Sequence, residues 1–83
     1  MKILYFAWVR QKIGVADETF TPPVDVKTVG ALIDALRARG AGYAAAFDDM
    51  RRIRVAVNQT HVALDAPVAP GDEVAFFPPV TGG

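Results

Sequence analysis

The stretch Thr28–Gly40, "TVGALIDALRARG", sets the frame for the rest of the chain. Apolar residues fall at Val29, Leu32, Ile33 and Leu36, the i, i+3, i+4, i+7 stripe of an amphipathic helix. Thr28 is a good N-cap, its hydroxyl placed to accept from an early helix N–H. Ala31 stands where a capping box would need Glu or Gln. Asp34 and Arg37 lie three apart on the polar side, and Gly40 offers a left-handed stop. The pattern predicts a helix over Val29–Arg39.

Strands are expected on both sides of it. Upstream, "KILYFAWV" (Lys2–Val9) is aromatic and β-branched and reads as one strand. Both of its alternating sets are apolar: Ile3, Tyr5, Ala7, Val9 against Leu4, Phe6, Trp8. "RQKIGVADE" (Arg10–Glu18) reads as loop, with Gly14 as a turn point. "TFTPPV" (Thr19–Val24) is a short extended piece that Pro22 and Pro23 confine to an edge, pairing with the first strand as a loose hairpin.

Downstream, "GYAAAFDDM" (42–50) holds a short helical turn with Tyr43 and Phe47 at i, i+4. "RRIRVAVN" (Arg51–Asn58) alternates, with Ile53, Val55 and Val57 on the core side. "HVAL" (His61–Leu64) follows a turn at Asn58–Thr60, and "EVAFF" (Glu73–Phe77) follows a Pro-Gly-Asp turn at Pro70–Asp72. One main helix on a small mixed sheet of four to five strands is an α+β roll. A helix covers one face of such a sheet, so the doubly apolar first strand implies bulky groups on the far face, where a partner surface is expected. The competing expectation is that the longer loops, Ala41–Met50 above all, cover it.

Bulk properties narrow the function classes. The 83 residues are 52% hydrophobic and 22% charged, a globular composition with no stretch of membrane-span length. Nine basic and nine acidic residues cancel, leaving no field for nucleic acid or an anionic membrane, and neither is expected as a partner. There is no cysteine and one histidine, His61, so thiolate chemistry and a soft-ligand metal site are not expected. No acid, base and nucleophile set converges, and the cytoplasm is the expected compartment.

The chain ends "FFPPVTGG" (Phe76–Gly83). One phenylalanine, Phe76 or Phe77 according to parity, anchors the tail, and Pro78 and Pro79 stiffen it toward an extended path. Six residues from Pro78 reach roughly 20 Å. Gly82 and Gly83, without Cβ atoms, fit a channel too narrow for any other residue. The group so delivered is the Gly83 α-carboxylate, inert until adenylated and then open to an amine, a thiol or sulfide. A domain over residues 1–77 with an extended tail over 78–83 is the expected organisation, with disorder over at least Thr81–Gly83.

With "ILYFAWVRQKIG", "AVNQT" and "PGDEVAFFPPVTGG", the chain resembles the small subunits of molybdopterin synthase, ubiquitin-like sulfur carriers of the β-grasp fold. The resemblance implies that an ATP-dependent activating enzyme adenylates Gly83 and that a sulfur donor protein converts it to a thiocarboxylate. The tail then enters the large synthase subunit, in a heterotetramer, to build the dithiolene of molybdopterin. It implies ATP use by the activating partner and no cofactor on the chain itself. Gly83 maps to the acyl carrier and Gly82 to the threaded spacer. Phe77, Pro78, Pro79, Val80 and Thr81 map to the docked tail. Phe6 and Phe77 map to the docking face, with His61 where an aliphatic residue is usual, and Arg10 to a basic position beside it. Two other readings stay open: a carrier for another pathway, such as thiazole formation for thiamine, and a ubiquitin-like modifier or plain β-grasp interaction module.

Overall fold

The computed structural model describes residues 1–79. The strands are β1 (Lys2–Tyr5), β2 (Asp17–Thr19), β3 (Arg54–Val57), β4 (Thr60–Val62) and β5 (Glu73–Phe77). The helices are α1 (Ala7–Ile13), α2 (Val29–Arg37) and α3 (Ala41–Ala46), with a 3-10 turn at Met50–Arg52. The strands form one five-stranded sheet in the order β2-β1-β5-β3-β4. β1 and β5 run parallel and every other pair is antiparallel. The first and last strands of the chain are therefore neighbours at the centre of the sheet.

The α2 stripe behaves as its spacing requires: Val29, Leu32, Ile33 and Leu36 are all buried. The Thr28 hydroxyl accepts from the Ala31 N–H at 3.2 Å. The helix stops two residues before Arg39, and Gly40 is not its left-handed cap. Ala38 ends it in a right-handed conformation, and Gly40 is extended and leads into α3. The Arg39 N–H tightens onto the Leu36 carbonyl at 3.0 Å while its side chain is drawn to Glu18.

The larger correction lies at the N-terminus. The strand expected over Lys2–Val9 ends at Tyr5, and residues expected as loop form α1. Phe6 keeps extended angles, Ala7 takes φ 53°, and the chain turns into a seven-residue helix. Val9 and Ile13, one helical turn apart, face the core. Gly14, at φ 100°, supplies the left-handed stop and donates to the Arg10 carbonyl at 2.8 Å. The odd parity of the first stretch thus has two causes. Ile3 and Tyr5 face the helices from a strand, and Val9 reaches the same core from a helix.

Smaller boundaries shift for local reasons. β3 begins at Arg54 because Asp49 caps a 3-10 turn there and holds Arg51 by two 3.0 Å contacts. β4 ends at Val62, since the Leu64 carbonyl leaves the sheet to accept from Gly30 on α2 at 2.8 Å. β2 covers Asp17–Thr19 and lies at the sheet edge, so the two prolines follow it without breaking a ladder.

The core is aromatic at its centre. Phe76 stacks on Tyr5 with centroids 6.1 Å apart and meets Phe47 edge-on at 4.9 Å. Tyr5, Phe47 and Phe76 are all essentially without solvent contact. Phe47 and Ala46 belong to the segment that was the candidate cover for the far face, and both are buried in the helical layer instead. Burying side chains of this size contributes about 1.5–3 kcal/mol each before entropy is counted. Among the described residues no helix covers the far face, where Phe6 and His61 are exposed, Leu4, Ala75 and Phe77 half-buried and Ala56 buried.

Candidate functional site

The far face is fixed by strand register. Leu4 lies opposite Ala75, Ala75 opposite Ala56, and Ala56 opposite His61, one transverse row across four strands. The next row holds Phe77 opposite Arg54, with Phe6 continuing β1 beside it. Partners in register share a face, so these side chains stand opposite the buried Ile3, Tyr5, Val55, Val74 and Phe76. Small alanines in the middle with larger residues around them leave a shallow apolar dish.

Phe6 is the most exposed aromatic of the dish, at 48%. Its position is built by backbone. The Phe6 N–H extends the parallel ladder to the Phe76 carbonyl at 3.1 Å, and its own carbonyl accepts from Val9 at 3.1 Å to start α1. The left-handed Ala7 is the hinge of this turn, a conformation that costs an L-residue roughly 1–2 kcal/mol. Phe77 is half-buried, its ring 5.3 Å from the His61 imidazole at a tilt of 51°. His61 is exposed on the edge strand β4.

The two tail phenylalanines therefore divide their work. Phe76 anchors β5 in the core, and Phe77 presents its ring on the outer face at the point where Pro78 and Pro79 begin. Both prolines are half-buried. Val80, Thr81, Gly82 and Gly83, and the disorder expected at the end of the tail, lie outside the described residues. Arg10 sits on α1, where a strand end was one reading of it, and is exposed; its N–H lies 3.4 Å from the Phe6 carbonyl. The structure thus brings Phe6, Phe77 and His61 onto one face, with Arg10 one helical turn from Phe6.

Two arrangements away from this face, on the helical side of the sheet and at the start of α1, have no periodic signal in the sequence. Glu18 accepts from the Tyr5 hydroxyl at 2.8 Å, the Tyr43 hydroxyl at 2.7 Å and Arg39 at 2.6 Å. Burial opposes the Glu18 charge, but the bonds from Tyr43, Arg39 and Tyr5 outweigh it and hold the carboxyl below its usual range. Burial, then the bond to Glu18, pushes the Tyr5 phenol well above the ordinary tyrosine value. The cluster ties β1 and β2 to α3 and to the end of α2. Its one available signal was the phenol of Tyr5, which a buried strand position obliges to find a partner. The second arrangement is Arg52, whose guanidinium lies 4.9 Å over the Trp8 ring and joins α1 to the 3-10 turn.

A central parallel pair made from the first and last strands, a helical layer on one face and an apolar dish on the other define a ubiquitin-like β-grasp chain. The ThiS family model matches residues 3–83, and the chain belongs to that family. It is 45% identical over 83 residues to the molybdopterin synthase sulfur carrier subunit of Escherichia coli K12, spanning 100% of this chain and 99% of that protein. Among solved structures it is similar to SAMP1 from Haloferax volcanii, with TM-score 0.72 and 32% identity over 100% of this chain and 98% of that one. A chain of the Amycolatopsis orientalis BexX/CysO complex matches with TM-score 0.74 and 27% identity, over 99% of this chain and 98% of that one. Among the described residues, no helix is long and apolar enough to cross a membrane.

Proposed function

We propose that this chain is the sulfur-carrying subunit of a molybdopterin synthase, non-catalytic on its own, with Gly83 as the loaded position. The observation that carries the reading is the continuity of β5: one strand runs from the core at Phe76 through the outer-face anchor Phe77 into Pro78 and Pro79. Such an arrangement fixes the start of the tail, at Pro78 and Pro79, beside the apolar outer face. Full-length similarity to the Escherichia coli subunit supports the same reading.

The chemistry is an acyl activation followed by exchange. The Gly83 carboxylate attacks the α-phosphorus of ATP on the activating enzyme, and pyrophosphate leaves. Sulfide (HS−), released by a donor protein, attacks the acyl carbon, the bond from that carbon to the AMP oxygen breaks, AMP leaves, and a thiocarboxylate remains. Docked on the large subunit through Phe6, His61 and Phe77, with Arg10 alongside, the chain threads Val80, Thr81, Gly82 and Gly83 toward the pterin precursor. The thiocarboxylate sulfur attacks a carbon of the precursor and displaces an oxygen substituent from it; water then hydrolyses the acyl–sulfur bond, leaving the sulfur on the precursor and the carboxylate on Gly83. Two deliveries make one dithiolene. ATP is consumed by the activating partner and no cofactor is needed on this chain.

The intact mass of the chain tests this reading, after incubation with ATP, the activating enzyme and a sulfur donor. The expected gain is that of one oxygen replaced by sulfur, absent in a chain lacking Gly83. Loading that survives the deletion, or no loading by an enzyme competent on another carrier, overturns it. The similarity to SAMP1 of Haloferax volcanii, a small archaeal modifier protein, supports a ubiquitin-like modifier joined to protein lysines as the second reading. That reading predicts a Gly83-dependent ladder of larger species on a denaturing gel.

A further inference from the structure

The apolar dish is electrically polarised along β1 and β5. At the end where these strands begin, Lys2 stands opposite Glu73 and pairs with Asp17 at 3.7 Å, so one base meets two acids. At the other end, where the tail departs, the flanking charges are basic: Arg10 one helical turn beyond Phe6, and Arg54, directly opposite Phe77 and on the same face. Arg54 is exposed, bonds the Ile53 carbonyl at 3.3 Å, and pairs with no carboxylate among the described residues. Arg51, by contrast, is bound to Asp49, and Arg39 to Glu18. An exposed arginine left without an acid beside the half-buried ring of Phe77 is arranged for an acid that arrives with a partner.

From this we infer that the partner protein seated on the dish places a carboxylate opposite Arg54, and that Arg54 orients the partner relative to the tail. The inference rests on the carrier reading, which supplies the partner. A partner rotated half a turn would set its acid against Glu73 and Asp17, and like-charge contact would reject that orientation. Arg54 is a specificity residue: it touches the partner's rim, not the reacting atoms.

The experiment measures association of the full chain with the molybdopterin synthase large subunit of the same organism, at low salt and at about 0.5 M salt, where screening shortens to a few Å. Arg54→Glu is expected to slow association on the order of tenfold at low salt, and Arg54→Ala about threefold, with both losses shrinking at high salt. Lys27→Glu, the same charge change in the loop before α2, is expected to bind like wild type. Equal binding by Arg54→Glu and wild type overturns the proposal, as does equal slowing by Lys27→Glu, or a loss that salt does not relieve. A wild-type chain that dimerises, with Arg54→Glu restoring the monomer, gives the face to a second copy and also overturns it. A wild-type chain that binds no large subunit overturns the carrier reading and this proposal together; the other outcomes leave the carrier reading standing.

Discussion

Glu18 is where one side chain holds most separate pieces of the molecule, taking bonds from β1, from α3 and from Arg39, two residues past α2. Glu18→Gln keeps the shape and removes the charge. It is expected to cost about 1–3 kcal/mol, the range for hydrogen bonds to a charged group, read from denaturant unfolding. The pH dependence has a definite sign. The folded carboxyl titrates below its unfolded value, so its contribution is complete above the unfolded value and is lost as pH falls through the folded one. Stability of the wild type should therefore fall, as pH drops through and below the ordinary glutamate range, more steeply than that of Glu18→Gln. Equal slopes would mean that the charge of Glu18 contributes nothing. Single residues were unevenly legible in the sequence. Thr28 declared itself as a cap by type and place, whereas Glu18 sat in an apparent loop and its partners were 13, 21 and 25 residues away.

At the scale of elements, the helices pack through a close approach between α1 and α3. A Cβ added at Gly42 would lie 2.6 Å from the Lys12 carbonyl oxygen, a backbone atom that cannot swing aside. Gly42→Ala gains helix propensity worth about 1 kcal/mol. The overlap should outweigh it, for a net loss of about 1–3 kcal/mol in chemical unfolding. A neutral or stabilising result would show that α3 can slide off α1 freely. The same pair explains what the sequence concealed. α1 is short, and its opening residues, Ala7 to Val9, continue the strand propensities of β1 without a break. Its helical signals were only Val9 with Ile13 and the stop at Gly14. Strand β5 and the α2 stripe were legible because each repeats its period several times, and a period is a local property. The left-handed Ala7 that separates strand from helix is imposed by packing, and no residue type announces it.

For the whole molecule, the core and the tail are expected to be separable in energy. A chain lacking Gly83 should unfold within about 0.5 kcal/mol of wild type, the usual span for surface changes, while losing all sulfur loading. A large stability loss would tie the terminus into the fold and contradict a domain over 1–77 with an independent tail. The α+β class and a bulky far face followed from the pattern of apolar residues, and the dish of Leu4, Phe6, Ala56, Ala75, His61 and Phe77 is that far face. Its charge polarity was out of reach, because it depends on the register that sets Arg54 against Phe77 and Lys2 against Glu73.

The placement of β5 beside β1 at the centre of the sheet has a consequence for how the molecule is made. A ribosome delivers β1 first and β5 last, yet neither Ile3 nor Val74 and Phe76 can be shielded until the two strands meet. The sheet therefore cannot form its central pair until β5 has been made, and truncation before Phe77 shortens the strand that joins β1 to β3. Folding thereby tests length: a copy that completes this sheet has been translated through β5, the strand that leads into Pro78 and Pro79.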